Sequence, residues 1–269
     1  MTELGVTTGS HGWERVGAIS GFVFVALFFI AFFGLQDLDF PPAGSATSEQ
    51  IRSFFERERV RMALSTVSYA AAWSAFLWFI GGMRSPDTAT DSVRRLEGVA
   101  ICAGVLVAGL ALAGVALQSE ILLADPTTDD ATLVSQLALF DAAGGFFGIT
   151  PIPRAAFVGA LSIVALREGG LRRWLGYFGL LVAAINVLGG IDYVIPADWS
   201  LTGHPLLDLI AFLGWILAAS VVLVTRRRHA QRGIRPGPPR RRLAHVRSEG
   251  PDDGGNAVLT TETTSRGDA

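Results

Sequence analysis

Residues 98–117 read GVAICAGVLVAGLALAGVAL, twenty consecutive residues without a charged side chain. An α-helix rises about 1.5 Å per residue, so this stretch would form a helix about 30 Å long, which matches the hydrocarbon core of a bilayer. Arg94 and Arg95 stand shortly before the stretch and Glu120 shortly after it. The stretch therefore predicts a membrane-spanning helix with polar residues at both ends.

The rest of the chain contains further runs of this kind. Half of the 269 residues are hydrophobic and only 17% are charged, a composition typical of membrane proteins rather than of water-soluble domains. The first run is also longer than the about 7–15 apolar residues of a signal peptide, which favours a retained helix. We predict an all-α polytopic membrane bundle of six transmembrane helices, at about 16–35, 62–83, 96–117, 142–166, 174–191 and 208–225.

The fourth span is the least clear, because Arg154 and the prolines Pro151 and Pro153 interrupt its apolar residues. Parity still requires it, since only six spans put the Arg-rich fourth connection and the Arg-rich start of the tail on the same side. One alternative is a single helix over 142–166 with Arg154 at its midpoint. Prolines that break a helix beside a charged residue are typical of the discontinuous helices of transporters.

The other alternative begins the fourth span at Thr150. Thr is an acceptable N-cap residue and Pro is favoured at the first helical position, so Thr150 and Pro151 suit a helix start. Arg154 would then reach the lipid headgroups from one turn inside the span. Residues 130–149 would form a separate helix at the outer surface, with an apolar face made of Leu133, Leu137 and Phe140.

The loop charges predict the orientation. The second and fourth connections and the start of the tail carry arginines, whereas the third and fifth connections carry acidic residues and no arginine. The positive-inside rule therefore places both termini in the cytoplasm of a multi-pass cell-membrane protein. The arginines are Arg84, Arg94, Arg95, Arg167, Arg172, Arg173 and Arg226–Arg228. The acidic residues of the third and fifth connections are Glu120, Asp125, Asp129, Asp130, Asp192 and Asp198.

The first connection does not follow the positive-inside rule, because it carries arginines on the side predicted to be outside. It also contains a capping box, Thr47-x-x-Gln50, followed by Ile51, Phe54 and Phe55 at helical spacing. We therefore predict an amphipathic helix lying on the outer surface, in which glutamates offset the arginines. Its arginines are Arg52, Arg57, Arg59 and Arg61.

A set of polar residues falls near the outer ends of the spans. Arg154, Asn186, Asp192 and Asp208 would lie at similar heights, and a charged residue inside a membrane is a candidate functional residue with an acidic partner. An outward-facing polar cavity with Arg154 paired to Asp192 or Asp208 would suit a small anionic or zwitterionic ligand or a lipid headgroup. The alternative is that these are ordinary helix-end residues at the water interface.

The sequence contains no catalytic motif, no phosphate-binding loop and no dinucleotide fingerprint, so we do not predict an enzyme. Its single cysteine and four scattered histidines do not form a metal site, and no cofactor is predicted. The leading hypothesis is a membrane protein that binds or moves a small ligand or lipid. The second is a scaffolding component whose tail recruits a cytoplasmic partner; the oligomeric state is left open.

Residues 226–269 change to a composition of Arg, Pro, Gly, Asp and Thr, which predicts a disordered cytoplasmic tail. Its basic first part would contact anionic lipids rather than nucleic acid. Thr263 and Thr264 are candidates for phosphorylation by a cytoplasmic kinase, because a phosphate there could bind an Arg cluster.

Three segments resemble a known group of proteins: Ser48-x-Gln50-Ile51-x-x-Phe54-Phe55, the exit from the second span at 78–84 (WFIGGMR), and the turn at 166–177 with Arg172-Arg173-Trp174-Leu175-Gly176. Together they resemble the DUF4386-like multi-spanning proteins common in actinobacteria, over roughly residues 13–225. The resemblance implies a six-helix integral membrane protein without an assigned activity, so it assigns no site residue.

Overall fold

The computed structural model describes residues 10–36, 47–83, 90–123, 128–168, 173–193, 195 and 206–233, and within these ranges the structure contains helices and no strands. Six stretches are long and apolar enough to cross a membrane, which confirms the predicted polytopic α-helical bundle. The α-helices are α1 Ser10–Gln36, α2 Ser48–Gly81, α3 Asp91–Ser119, α4 Asp130–Ile149, α5 Pro151–Glu168, α6 Arg173–Asp192 and α7 Leu207–Gly233, with a short 3-10 helix at Glu120–Leu123.

Six helices form a closed ring in the order α1, α2, α3, α5, α6, α7, in which each helix contacts the next and α7 contacts α1. Aromatic side chains fill the centre: Phe76 of α2 lies 5.1 Å from Phe24 of α1, 5.4 Å from Phe157 of α5 and 5.8 Å from Phe212 of α7, measured between ring centroids. Large apolar side chains also cover the outside of the ring, among them Ile30, Leu64 and Leu181. An exposed apolar exterior of this kind is suited to lipid.

Glycines allow the closest helix approach. A Cβ on Gly17 of α1 would lie 2.5 Å from the Cα of Gly82, just after α2, so neither position has room for a side chain. Gly21, one turn further along α1, faces Ser220 and Phe79 in the same way. Gly17 and Gly21 therefore pack helices within one bundle, as small residues do in membrane proteins.

The helical path is interrupted at Thr150, between α4 and α5. Pro151 has no N–H, so it cannot donate to the carbonyl of Phe147 four residues earlier. The N–H and hydroxyl of Thr150 instead donate to that oxygen, at 3.2 and 2.7 Å. The predicted break at Thr150 is present, but the predicted N-cap is wrong, because the Thr150 side chain bonds back to α4 and its backbone stays in the helical region.

Consequently the predicted span 142–166 crosses this interruption, and the apolar stretch that includes it is longer, Asp130–Arg167. Arg154 lies four residues after Thr150 and donates its backbone N–H to the Thr150 carbonyl at 3.0 Å. The two helices on either side therefore follow each other directly.

The predicted amphipathic helix is present but is not a separate element. Its capping box forms as predicted: the Thr47 N–H donates to Gln50 Oε1 at 2.9 Å, and the Gln50 N–H donates to the Thr47 hydroxyl at 3.3 Å. The helix then continues without a break into the second span, giving α2 a length of about 51 Å for its 34 residues. This exceeds the hydrocarbon thickness by about 20 Å.

The extended end of α2 packs against α4, and we call this unit the end lobe. Its core is separate from the ring's core and contains Ile51, Phe54, Phe55, Met62, Leu133 and Leu137, with Leu122 and Phe140 beside them. The apolar faces predicted for the amphipathic helix and for 130–149 are therefore correct, and each face covers the other.

The end lobe also gives a structural role to arginines of the first connection. Arg52 donates to the carbonyl of Thr128 at 2.8 Å, and Arg59 donates to the carbonyl of Leu122 at 3.1 Å. Both attach α2 to the segment between α3 and α4.

At the C-terminal end, α7 extends to Gly233, eight residues into the predicted tail. Residues 234–269 of the predicted tail lie outside the described residues.

Candidate functional site

Arg154 and Asp208 form a buried ion pair between α5 and α7. The guanidinium Nη2 lies 2.5 Å from the Asp208 carboxylate Oδ2, and the two residues are only 4% and 7% exposed. An unpaired guanidinium in hydrocarbon costs at least about 2.5 kcal/mol, so a charged residue at this position requires a partner. The structure selects Asp208 from the two acids that the sequence left open.

Two features bring the Asp208 carboxylate to this position. Asp208 lies in the first turn of α7, where the helix dipole favours a negative charge. Gly189 of α6 packs directly against it, since a Cβ on Gly189 would lie 2.8 Å from the Asp208 Cβ. A larger residue at 189 would therefore push α7 away from α6.

Asn186 completes the group from the side of α6. Its side chain is fully buried, and its Nδ2 donates to the carbonyl of Val182 at 2.9 Å and to the backbone carbonyl of Asp208 at 3.2 Å. The amide thus links α6 to the start of α7. Arg154, Asn186 and Asp208 together are called the Arg154 layer below.

The Arg154 layer lies on the aromatic centre of the ring. The guanidinium carbon of Arg154 is 5.5 Å from the centroid of Phe212, within the range of a cation–π interaction. Phe212 in turn packs against Phe76 and Phe157. The aromatic core therefore packs against one side of the Arg154 layer.

The Arg154 layer leaves hydrogen-bonding capacity unused. Among the described residues, Arg154 Nε and Nη1 and Asn186 Oδ1 are buried and have no hydrogen-bond partner. Buried polar groups in proteins nearly always have a partner, in the protein or in bound water or ligand. Two donor nitrogens and one acceptor oxygen of the layer are therefore available to a small polar molecule.

The other predicted candidates are placed differently. Asp192, the last residue of α6, is half-buried and lies about 9 Å along the helix from Asn186, and the ion pair of Arg154 is with Asp208. Thr263 and Thr264 lie outside the described residues. Within the described ranges, no group of three His, Cys, Asp or Glu side chains could hold a metal ion.

The sequence reasoning did not identify Phe212 or Gly189, which shape the layer. Phe212 stands four residues after Asp208 and is therefore on the same face of α7, a spacing that could have indicated it. Gly189 is one of two adjacent glycines between Asn186 and Asp192, a pair that indicates close helix approach near polar residues.

Comparisons of the chain with protein-family models, with curated proteins and with solved structures find no match. The resemblance to the DUF4386-like group therefore stays a prediction.

Proposed function

We propose that this multi-pass membrane protein binds a small zwitterionic group at the Arg154 layer. The supporting observation is the set of three buried polar atoms without a partner, Arg154 Nε, Arg154 Nη1 and Asn186 Oδ1. A group with an acceptor for Arg154 and a donor for Asn186 would complete all three. This is the inferred binding function of the protein.

The charge of the layer favours a zwitterion over a simple anion. Arg154 and Asp208 neutralise each other, so the layer carries no net charge to attract an ion of one sign. A molecule with both a carboxylate or phosphate and an ammonium group could pair with Arg154 and with Asp208, replacing the internal pair by two external ones. Amino acids, betaines and zwitterionic lipid headgroups share this chemistry.

The described residues close over the layer, since Arg154 is 4% exposed. The proposal therefore includes an opening step. We place the opening at the Thr150 interruption, where Pro151 and Pro153 remove two helical hydrogen bonds. Because α5 carries Arg154 and begins immediately after Thr150, movement there would change the distance to Asp208.

A thermal-shift titration of the purified protein in detergent tests the proposal. A ligand that binds only the folded state raises the melting temperature as its concentration exceeds Kd. We expect a shift with glycine, glycine betaine or short-chain phosphatidylethanolamine, and none with acetate or methylammonium at equal concentration. The soluble zwitterions and the lipid distinguish a free solute from a headgroup.

The Asn186→Leu variant removes the unpartnered acceptor and is the matched test of the site. We expect it to abolish the shift, while Val187→Leu, on the exposed neighbouring position, keeps it. A shift from acetate alone would replace the zwitterion by an anion. No shift from any compound would overturn the proposal.

For the orientation we propose cytoplasmic termini, supported by the arginine distribution. In a Cys102→Ala background, a cysteine at Glu56 or Asp129 should react with an impermeant thiol reagent added to intact cells, and one at Asp91 should not. Labelling only at Asp91 would reverse the orientation.

A further inference from the structure

The end of α6 contacts the chain on both sides of the Thr150 interruption. A Cβ on Gly190 would overlap the end of the Ile152 side chain, in the first turn of α5. A Cβ on Gly148, near the end of α4, would overlap the ring of Tyr193, the residue that follows α6. The end of α6 therefore packs tightly against α4 and α5 where these helices meet.

The Tyr193 side chain is positioned by the backbone of α6 and by glycines of α4. Its N–H donates to the Gly189 carbonyl at 3.2 Å, so Tyr193 continues the helical hydrogen bonding of α6. Its hydroxyl would lie 3.4 Å from a Cβ on Gly145, which precedes Gly148 by about one turn. The ring therefore lies along α4, in a position that a side chain at 148 would occupy.

The same end of α6 adjoins the Arg154 layer. Asn186 lies one turn before it, and Gly189 packs against Asp208 of α7. Arg154 lies one turn after the interruption and donates its N–H to the Thr150 carbonyl at 3.0 Å. The contacts of this turn with α4, α5 and α7 therefore hold together the helix ends that carry the layer.

The Tyr193 contact is far more exposed than the layer itself. Tyr193 is 53% exposed, whereas Asn186 and Asp208 are at most 7% exposed. Its ring can therefore leave α4 without uncovering the aromatic core. Because Pro151 and Pro153 remove two helical hydrogen bonds between α4 and α5, packing from α6 carries more of the constraint on their arrangement.

We propose that Tyr193 is a latch, whose packing on Gly148 holds α4 and α5 in the closed arrangement and keeps the Arg154 layer covered. When the ring leaves Gly148, α5 moves at the Thr150 interruption and the layer opens. Tyr193 is thus a positioning residue that acts through the interruption. Its control over release of a zwitterion rests on the proposed function, whereas the latch itself needs no ligand.

Hydrogen exchange of the amides in 150–156, measured by mass spectrometry in nanodiscs without ligand, tests the latch. We expect Tyr193→Ala to speed this exchange about tenfold, the order of magnitude of one aromatic contact. Tyr193→Phe keeps the ring and should keep the protection. Tyr177→Ala is the matched control, since Tyr177 is a 66% exposed tyrosine near the start of α6.

A change on α4 tests the same contact without removing the tyrosine. Gly148→Ala should also speed the exchange, because the added methyl group displaces the ring. Gly144→Ala is the control one turn earlier, since its Cβ would meet nothing within 4 Å and it changes helix propensity alone. Adding Gly148→Ala to Tyr193→Ala should have no further effect, because both changes remove one contact.

Release of radiolabelled glycine measures the effect of the latch on the Arg154 layer. We expect glycine to dissociate about tenfold faster from Tyr193→Ala than from the unchanged protein. Tyr193→Phe and Tyr177→Ala should release glycine at the unchanged rate. A residue that only stabilised the fold would not alter this rate in a protein that remains folded.

The outcomes separate the latch from the binding function. Unchanged exchange in Tyr193→Ala, or a rise that extends equally to α2 and α3, would overturn the latch. Equal effects of Gly148→Ala and Gly144→Ala, or unchanged glycine release from Tyr193→Ala, would also overturn it. Faster local exchange in a protein that binds none of the tested zwitterions would keep the latch and remove the binding function.

Discussion

Two of the arginine–aspartate pairs in the described part of the chain join different helices, and their surroundings differ. Arg154 and Asp208 lie inside the ring, with side chains 4% and 9% exposed, whereas Arg52 and Asp130 lie in the end lobe, with side chains 27% and 72% exposed and a separation of 3.5 Å. The same two chemical groups therefore face opposite conditions. Inside the ring, a charged group that loses its partner stays buried away from water. In the end lobe, such a group can be hydrated.

This difference means that the contribution of an ion pair to the free energy of unfolding depends on the surroundings of the charge that remains when its partner is removed. A surface pair contributes about 0–1 kcal/mol, since water replaces the lost partner. Breaking a buried pair costs far more, because one charge remains buried without compensation. The following predictions test this contrast, beginning with the largest effect.

Asp208→Ala should lower the free energy of unfolding by about 3–5 kcal/mol, because it leaves Arg154 charged and buried. Denaturation of the purified protein in mixed detergent micelles measures this. The double variant Arg154→Met, Asp208→Leu should recover most of the loss, since no charge remains. Strict additivity of the two single changes would show that the residues do not act as a pair.

Leu133→Ala in the end lobe should cost about 2 kcal/mol, at the low end for a buried leucine, because this small core can partly collapse into the gap. Val134→Ala is the control, since Val134 is 52% exposed. Hydrogen exchange should report faster opening of 48–62 and 130–140 with unchanged protection of α6 and α7. Equal loss of protection in both regions would show that the lobe and ring unfold as one unit.

Arg52→Ala should cost at most about 1 kcal/mol, and the loss should shrink as salt is raised, because exposed charges are screened. Arg52→Lys keeps the positive charge but removes the guanidinium group, so it distinguishes the effect of the charge from that of the guanidinium hydrogen bonds. Melting curves at low and high sodium chloride measure both variants. A salt-independent loss as large as that of Asp208→Ala would remove the contrast between the two regions.

The smallest effect should come from Asp129, which caps α4. Its carboxylate accepts from the Thr132 hydroxyl at 2.7 Å and from the Thr132 N–H at 3.0 Å, and these hydrogen bonds lower the pKa of Asp129 below its ordinary value of 3.8. A lowered folded-state pKa means that the stabilisation is present above about pH 4 and is lost as pH falls through the folded pKa. Exchange of the Thr132 amide against pH should show this, and Asp129→Asn should flatten the curve.

Several features of the fold follow from the sequence without the structure. Uncharged runs such as 98–117 predict membrane helices, because a backbone in lipid must satisfy its own hydrogen bonds. The capping box at Thr47 and Gln50 forms because its interactions are local. The break at Thr150 follows from the missing N–H groups of Pro151 and Pro153, although the sequence did not show that the Thr150 hydroxyl would bond back to Phe147.

The tertiary structure decided the remaining questions. Asp192 and Asp208 have nearly the same predicted height, so periodicity could not choose between them as partners of Arg154. The choice depends on α7 approaching α6 at Gly189 and on Phe212 lying under the guanidinium, contacts between residues far apart in the chain.

The end lobe shows the same division. The sequence determined two amphipathic faces, 51–55 and 133–140, because each follows from the spacing of apolar residues along one helix. It could not determine that these faces cover each other and not the membrane surface, since their meeting depends on the lengths and directions of α2, α3 and α4 together. Local hydrogen bonds and apolar periodicity depend on residues that are neighbours in the sequence. Contacts between helices across the bundle depend on the packing of the whole chain.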